Sequence, residues 1–454
     1  MMEGINVSRR GFLGGATAFA AVQGRAGNKE QSKKLRFAAI GIMGMGRHTN
    51  PPLVEAGAEL VAICDVDKKN LEEGKKRWPG VPAYLDYRKM LKEIGHTFDA
   101  VNITTPDSTH AYIAIECMNY GKHVYVQKPL ARTFEECDLM LEAQRRTGVV
   151  CQMGNQNHPT ATSFSVVKAA NFWGEIKHID GWSDRPIWPQ GMTQYPKPLP
   201  WDNAMDATQW DIWCGPCVDH GYSKSFHQRS WRAWWDYGCG AIGDMAVHNV
   251  DAAFCYFDLG YPVEIEGDTC GAGPVTVAYP KKSVIKMKFA NGVTFHWYDG
   301  GNKPELPKGA NPSLVYPSNG LVVHGSRATT LGARPVVIAA GDGENAEKRK
   351  ELSRELKEIL KPHKIYNHYK EFVDACLAGD PKMCGSNLEY AAPFTQVLLL
   401  GCLSLRFPGK KLQFDPKTKQ FTNCPEANEF LKAPKRGDWD FAKIATSRPW
   451  WKFW

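Results

Sequence analysis

The stretch that decides the fold is LRFAAIGIMGMG, residues 35–46. Its apolar first half predicts a short buried strand, and Gly41, Gly44 and Gly46 crowd the turn that follows. Such a turn lets the backbone approach a pyrophosphate, which then lies at the partially positive start of a helix. The usual spacing is G-x-G-x-x-G, and this chain has Met43 at the middle position. The residues predicted to contact a dinucleotide here are Gly41, Met43, Gly44, Met45, Gly46 and Arg47.

Outward from this turn, strand and helix signals alternate. Further apolar strands are predicted at residues 59–64, 99–104, 123–127 and 149–153, and helices at 68–77, 109–120 and 133–146. Strands that alternate with helices imply a parallel, doubly wound sheet. We therefore predict a Rossmann dinucleotide-binding domain over residues 35–155.

The pattern changes after residue 155. Longer β-rich segments appear at residues 176–182, 283–289 and 292–299, with loops rich in proline, glycine and tryptophan between residues 187 and 219. Helical patterns return at residues 365–377 and 387–405. We predict a second α/β domain over residues 156–405 with a largely antiparallel open sheet. Residues 406–454 are predicted to form a loop-rich tail that packs on the core.

One acidic residue favours a particular dinucleotide. Asp65 ends the second predicted strand, 24 residues after Gly41. An acid at this place hydrogen-bonds a ribose 2′-hydroxyl. Because a carboxylate would repel a 2′-phosphate, we predict NAD rather than NADP as the cofactor. The alternative is a cluster of turn glycines in an α/β protein that binds no nucleotide.

The amino terminus resembles an export signal. Residues 8–13 read SRRGFL and precede a mildly apolar run of small residues at 14–22, as in bacterial twin-arginine signals. This run is shorter than the roughly 20 residues of a membrane span. We predict that residues 1–34 are a signal and linker and that the protein is periplasmic or otherwise exported. The alternative is a chance basic terminus on a cytosolic protein.

The charge and the cysteine content of the chain narrow the possible functions only slightly. Lys and Arg number 56 against 48 Asp and Glu, and this net charge of +8 is spread along the chain. Because no basic block has interleaved aromatic residues, we predict no nucleic-acid partner, and we predict no integral membrane span. The 13 cysteines do not suggest a disulfide scaffold. Residues 213–217, WCGPC, match the thioredoxin pentapeptide but lack its strand-to-helix context, which leaves a local disulfide as an alternative.

Three further motifs follow in order: TTPDSTH at residues 104–110, QKP at 127–129 and GAIGDMAVH at 240–248. Together with the glycine turn they resemble the Gfo/Idh/MocA family of dinucleotide-dependent oxidoreductases, over nearly the whole chain after Lys33. Members of this family mostly act on sugars, inositols and related polyols, and carry the substrate site on the open sheet of the second domain. Further cofactor contacts implied by the resemblance are Thr105, Pro106, His110, Gln127 and Lys128.

The last motif places two titratable residues four positions apart. Asp244 and His248 are expected on one face of a helix, where the carboxylate can orient the imidazole. The resemblance implies that His248 is the general base for a substrate hydroxyl and that Lys128 stabilises the developing charge on its oxygen. The family's usual Glu-Lys-Pro is Gln127-Lys128-Pro129 here, so a carboxylate beside Lys128 is missing.

Two other interpretations of Asp244 and His248 remain open. A helix cap beside a buried histidine would have the same spacing. Two metal ligands would also have it, but the sequence places no third ligand, so we predict no metal.

Tryptophan is unusually abundant, with 15 residues, and part of it lies at 182–190 and 231–237. Indoles can stack on the C–H faces of pyranoses while polar side chains bind the hydroxyls. We predict substrate contacts from Arg185, Trp188, His227 and Trp234. The alternative is aromatic packing of loops or of a subunit interface, and we expect a homo-oligomer.

These observations predict an NAD-dependent oxidoreductase that acts on a secondary hydroxyl, at C3, of a sugar or glycoside and holds its cofactor tightly. Two alternatives stay open: an NAD-dependent glycoside hydrolase that oxidises C3 transiently, and a non-catalytic sugar-binding protein. Glycoside-cleaving relatives carry Tyr-Pro-Thr before the histidine, where this chain has Met245-Ala246-Val247. This difference favours net oxidation or reduction over hydrolysis.

Overall fold

The computed structural model describes residues 34–226, 230–341, 346–361 and 365–445. The predicted export signal, apart from Lys34, lies outside the described residues. Within the described ranges, no helix combines the length and the apolar character needed to cross a membrane.

The first domain is a parallel sheet of six strands in the order β3-β2-β1-β4-β5-β6. The strands are β1 (Arg36–Ile40), β2 (Glu59–Cys64), β3 (Ala83–Tyr84), β4 (Ala100–Ile103), β5 (His123–Gln127) and β6 (Cys151–Gly154). The helices are α1 (Gly46–Glu55), α2 (Lys68–Arg77), α3 (Tyr87–Ile94), α4 (Asp107–Asn119) and α5 (Phe134–Thr147). This order is that of the Rossmann fold, so the predicted doubly wound sheet is confirmed.

Local sequence explains where these helices begin and end. Thr133 starts α5 with a capping box, in which Glu136 accepts a hydrogen bond of 2.8 Å from the Thr133 N–H. Gly148 ends the same helix in the left-handed conformation, with φ of 74°. The Asp67 carboxylate caps the start of α2 by accepting a hydrogen bond of 2.8 Å from the Lys69 N–H.

The second domain is built on a mixed sheet of nine strands in the order β13-β12-β11-β7-β10-β9-β8-β14-β15. The strands are β7 (Ile176–Ser183), β8 (Pro262–Asp268), β9 (Val284–Phe289), β10 (Thr294–Tyr298), β11 (Asn319–Gly325), β12 (Ala328–Leu331), β13 (Val336–Ala340), β14 (Leu412–Asp415) and β15 (Gln420–Phe421). Among the described strands of this sheet, β7 and β10 alone pair in parallel, so the predicted, largely antiparallel sheet is confirmed. A separate hairpin joins β16 (Lys435–Arg436) and β17 (Trp439–Asp440).

The remaining helices pack on both domains, for example α10 against β13 of the mixed sheet and α13 against α4 and α5 of the first domain. They are α6 (His158–Ala169), α7 (Ala207–Cys214), α8 (Val247–Asn249), α9 (Asp251–Tyr256), α10 (Ala346–Leu360), α11 (His368–Ala378), α12 (Leu388–Ser404) and α13 (Phe441–Ala445), with a π-helix at Ile242–Ala246. Helix α12 is buried along most of its length and packs on α5 of the first domain and β8 of the second. It therefore links the core of one domain to the core of the other.

The predicted tail is more regular than a loop. Its strand β14 pairs with β8 and so extends the mixed sheet. Near the end of the described chain, the Ile444 carbonyl accepts a hydrogen bond of 2.9 Å from the Asn119 side chain. Residues 406–445 are therefore held against both domains.

Candidate active site

A cavity of about 900 Å³ lies at the carboxyl ends of β1, β2, β4 and β5 and is also lined by residues of the second domain. Ligands of open α/β sheets bind at this edge. The predicted site residues that line it are Gly41, Met43, Gly44, Met45, Arg47, Asp65, Thr105, Pro106, His110, Gln127, Lys128, Arg185, Trp188, Asp244 and His248. The cavity thus brings most of the predicted cofactor, catalytic and substrate residues together.

The glycine turn forms a backbone cradle. Gly41 has φ of 79°, and a Cβ added to it would lie 2.9 Å from the carbonyl carbon of Thr104. The Thr104 hydroxyl donates a hydrogen bond to the Gly41 carbonyl and closes the turn. Gly46 does not line the cavity: it begins α1, where a Cβ would strike the Gly41 carbonyl. The open space beside Gly44, where a Cβ would meet no neighbour within 4 Å, fits a pyrophosphate at the start of α1.

Asp65 lies where the ribose of a dinucleotide is expected. Its carboxylate accepts hydrogen bonds from the backbone N–H groups of Ile42, at 3.1 Å, and Asp67, at 3.0 Å. Burial raises the pKa of Asp65 to about 6. The two backbone bonds hold the carboxylate at the cavity wall while leaving acceptor capacity for a hydroxyl ligand.

Gln127 supplies a second indication that this half of the cavity takes a polar ligand. Its side chain lines the cavity, and its buried Nε2 has no hydrogen-bond partner among the described residues. A buried donor without a partner is costly unless a bound group accepts its hydrogen bond. His110, by contrast, acts as a brace, since its ring nitrogens lie 2.9 Å from the Thr105 carbonyl and 2.8 Å from the Pro129 carbonyl. Burial lowers the pKa of His110 to about 4.

A buried ion cluster joins the two domains at the other half of the cavity. Lys128, directly after β5, donates hydrogen bonds of 2.8 Å to both the backbone oxygen and the carboxylate of Asp244. Arg232 donates to the same carboxylate at 3.0 Å. Burial by itself would raise the pKa of Asp244, but the charges of Lys128 and Arg232 hold it well below its usual range. Asp244 therefore supplies the negative charge that Gln127 does not place beside Lys128.

His248 is oriented by an amide. Its Nδ1 lies 2.8 Å from Oδ1 of Asn155, which follows β6. The Asn155 Nδ2 donates to the Val247 carbonyl at 2.9 Å, which fixes the direction of the amide. Oδ1 can only accept, so Nδ1 carries the proton and Nε2 keeps its lone pair. Burial and the charge of Lys128 lower the pKa of His248 to about 3, so the ring is neutral near pH 7.

One expectation about this pair was wrong. Within the described residues, no hydrogen bond joins Asp244 to His248, because the carboxylate is occupied by Lys128 and Arg232. Asp244 lies in the π-helix Ile242–Ala246, and His248 follows it in α8. Such local widening of a helix is frequent at functional sites. At this wider turn the two side chains have different partners: Asp244 binds Lys128, and His248 binds Asn155.

Three residues in or beside the cavity were missed by the sequence prediction. Arg232 lies in the tryptophan-rich segment 231–237, where only the aromatic residues signal a binding wall. Asn155 follows a predicted strand of a parallel sheet, and ligands bind at the carboxyl ends of such strands, so its position is a signal for the site. Asp107, at the start of α4, lines the cavity and accepts from the Cys239 N–H at 3.2 Å. Burial raises the pKa of Asp107 to about 7.

The structure places only some of the predicted substrate residues at the cavity. Trp188 lines the cavity, with the Arg185 and Arg232 guanidinium carbons 5.9 and 5.7 Å from its ring centre. Trp234 does not: it is buried against Phe226, and its indole N–H donates to the Ser225 carbonyl at 3.0 Å. The prediction for Trp234 was wrong because the indole fills the core of this loop region. His227 lies outside the described residues.

The WCGPC segment does not have a thioredoxin-like setting. Cys214 is the last residue of α7, whereas the thioredoxin motif begins a helix. Cys214 and Cys217 are both free and buried thiols. Burial raises the pKa of Cys214 well above its usual range and that of Cys217 to about 12. These surroundings suppress the thiolate that redox exchange requires.

Comparisons with known proteins agree with this geometry. Residues 35–155 match the NAD-binding Rossmann domain of an oxidoreductase family, and residues 175–325 match the C-terminal α/β domain of the same family. The structure of the WlbA dehydrogenase from Bordetella pertussis, solved with NADH and UDP-GlcNAcA, superposes with a TM-score of 0.56 at 18% identity, over 84% of this chain and 99% of that one. This likeness shows the fold.

Two curated relatives match over shorter segments. The α-N-acetylgalactosaminidase of Shewanella oneidensis is 33% identical over 133 residues, which are 26% of this chain and 28% of that protein. The scyllo-inositol 2-dehydrogenase (NAD⁺) of Bacillus subtilis is 34% identical over 128 residues, which are 27% of this chain and 35% of that protein. Both matches therefore leave most of each relative's length uncovered. The two domain matches show that the chain belongs to the Gfo/Idh/MocA family of NAD-binding oxidoreductases.

Proposed function

We propose that this protein is an NAD-dependent carbohydrate oxidoreductase that interconverts a secondary hydroxyl and a ketone, at C3, of a sugar or glycoside. The observation that carries the proposal is the neutral His248, whose Nε2 has no hydrogen-bond partner among the described residues, in one cavity with the Lys128–Asp244 pair and the glycine cradle. A base, an oxyanion stabiliser and a dinucleotide cradle are the parts that this reaction requires.

Each side chain has a distinct task. When bound, NAD⁺ supplies the hydride acceptor, held by the Gly41 turn and Asp65 with Gln127 as a further donor. His248 Nε2 accepts the proton of the substrate hydroxyl, and Asn155 keeps the ring in the tautomer that can do so. Lys128 has three N–H donors, of which two bind Asp244, and its third stabilises the substrate oxygen as negative charge develops there.

Asp244 is a positioning residue in this scheme. By binding Lys128 and Arg232 it holds both cations at the cavity wall. In the reverse direction, Lys128 donates a hydrogen bond to the ketone oxygen of the substrate. His248 then returns the proton to that oxygen.

Carbohydrate as the substrate class is supported by the wall opposite the cradle. The indole of Trp188 offers an apolar face beside the cations of Arg185 and Arg232, which suits the mixture of C–H faces and hydroxyls on a sugar. Two relatives point the same way, since one is named as an inositol dehydrogenase and another was solved with a nucleotide sugar.

Glycoside hydrolysis is the second candidate, favoured by the match to an α-N-acetylgalactosaminidase. The same base and oxyanion site would serve a cycle in which C3 is oxidised, the aglycone is eliminated, water adds and C3 is reduced again. The Met245-Ala246-Val247 stretch before the histidine weighs against this candidate. We also propose that the twin-arginine-like segment directs export of the folded protein with NAD inside it, which would require a cofactor that is regenerated in place.

The test is to identify the cofactor released from the purified full-length protein and to screen the protein against a glycoside panel. Accumulation of a 3-keto-glycoside with reduced cofactor supports the oxidoreductase. Free sugar without net cofactor change supports the hydrolase. Cofactor that no glycoside reduces, with no product formed, would contradict both and leave a binding role.

A further inference from the structure

The open face of the mixed sheet carries a second cluster of titratable side chains, and none of its members lines the cavity. His178 and Asp180 lie two residues apart on β7, so they point to one face of the sheet. The register places His296 of β10 opposite Asp180, and His324 of β11 opposite His178. Three neighbouring strands therefore bring three imidazoles and one carboxylate to the same patch.

The distances in this patch are those of a compact ligand set. His178 Nε2 lies 2.9 Å from one carboxylate oxygen of Asp180, and His324 Nε2 lies 2.9 Å from the other. One nitrogen or oxygen atom from each of His178, Asp180 and His296 lies within 4.8 Å of the others. The rings of His178 and His296 meet edge to face, with centroids 4.5 Å apart. Atoms this close can share one central ion after small side-chain rotations.

We propose that His178, Asp180 and His296 form a binding site for one zinc-type divalent cation, separate from the catalytic cavity. Two imidazole nitrogens and one carboxylate oxygen are ligands that zinc accepts, and a water molecule completes a tetrahedral shell. Calcium and magnesium, which prefer oxygen ligands, fit this set less well. The proposal does not depend on the activity proposed above.

The surrounding residues orient these ligands. His178 Nδ1 lies 2.7 Å from the Thr294 hydroxyl, which can accept its proton once an ion occupies the Nε2 side, where the ring now contacts Asp180. This arrangement matches the outer hydrogen bonds that hold metal-binding histidines. His324 binds the second oxygen of Asp180 and acts as the corresponding positioning residue.

The proposal is tested with the full-length protein after chelator treatment, titrated with zinc chloride by calorimetry. We expect one zinc ion per chain, and a loss of affinity of at least tenfold in the double variant His178→Gln/His296→Gln. His96→Gln is the matched control, because His96 is exposed and lies in the other domain. Equal stoichiometry and affinity in the wild type and the double variant would overturn the proposal.

Cobalt keeps the proposal falsifiable if the double variant fails to fold. Co²⁺ bound to the wild type is expected to show the intense visible absorbance of a four-coordinate site, and an equimolar amount of zinc should remove it. A weak spectrum like that of hydrated Co²⁺ would overturn the proposal. In His324→Gln, a retained spectrum with weaker affinity supports positioning by His324, whereas an unchanged affinity would remove that role.

Discussion

The two halves of the cavity are built in different ways. The cofactor half depends on the backbone: Gly41 packs against the Thr104 backbone, and Gly46 packs against the Gly41 carbonyl, so closely that a Cβ would not fit at either position. The catalytic half depends on side-chain bonds between domains, Lys128 to Asp244 and Asn155 to His248. We therefore expect substitutions in the cofactor half to change cofactor affinity, and substitutions in the catalytic half to change the rate.

His248→Ala is expected to have the largest effect. Loss of a positioned general base costs about 10²- to 10⁴-fold in rate, and kcat should fall by that amount. Cofactor content should stay unchanged, because His248 is not part of the cradle. Glycoside-dependent reduction of bound NAD, followed by absorbance, measures the first quantity, and release of cofactor on denaturation measures the second. Unchanged turnover would remove His248 from this role.

Asp244→Asn tests the ion cluster. Breaking a buried ion pair leaves cations without a counter-charge and costs about 3–5 kcal/mol of stability, and kcat should fall about 100-fold because Lys128 loses its anchor. The pKa of Asp244 is depressed in the folded state, so its stabilisation is present above the unfolded pKa and is lost as the pH falls through that value and toward the folded one.

The difference in melting temperature between the wild type and Asp244→Asn should therefore shrink as the pH falls below about 4. Differential scanning calorimetry across this range measures it. A difference that does not vary with pH would mean that the carboxylate charge contributes nothing to the cluster.

Gly41→Ala tests the backbone half. The new Cβ would lie 2.9 Å from the Thr104 carbonyl carbon, at a φ of 79° that L-residues rarely adopt. We expect a loss of NAD affinity of about tenfold or more, equivalent to roughly 1.4 kcal/mol. At saturating cofactor, kcat should stay within a few-fold of wild type. A variant with normal affinity and low kcat would contradict the division between the two halves.

The smallest effects should separate two tryptophans. Trp188→Phe removes part of the cavity wall and is expected to raise KM several-fold with little change in kcat. Trp234→Phe is the matched control: Trp234 is buried, as Trp188 is, but does not line the cavity, so KM should stay unchanged. Steady-state kinetics and thermal melts of both variants give the comparison. The reverse pattern would place the substrate on the Trp234 side.

Local signals accounted for the fold and for the cofactor half of the site. The alternation of strands and helices, the Gly41 turn and Asp65 are all short-range patterns, because a parallel sheet brings the ends of its strands to one edge. The contact between Lys128 and Asp244 spans 116 residues. The contact between Arg232 and the same carboxylate depends on how a loop folds back. Such contacts follow from tertiary packing and leave no periodic signal in the sequence.

The errors have the same origin. Trp188 and Trp234 occur in similar tryptophan-rich segments, so composition does not distinguish the wall of a cavity from the core of a loop. The orienting role given to Asp244 passes to Asn155, a residue 93 positions away from His248. The strand β14 was missed because Leu412–Asp415 is too short to show alternation and is stabilised by its pairing with β8.

The most direct test of the central claim is single-turnover transfer of deuterium. The NAD-loaded protein is mixed with a glycoside deuterated at C3 that the panel screen has identified as reactive, and the cofactor is analysed by mass spectrometry. We predict one deuterium in the reduced cofactor of the wild type and none in His248→Ala. Conversion of the glycoside with a cofactor that never acquires deuterium would contradict the account.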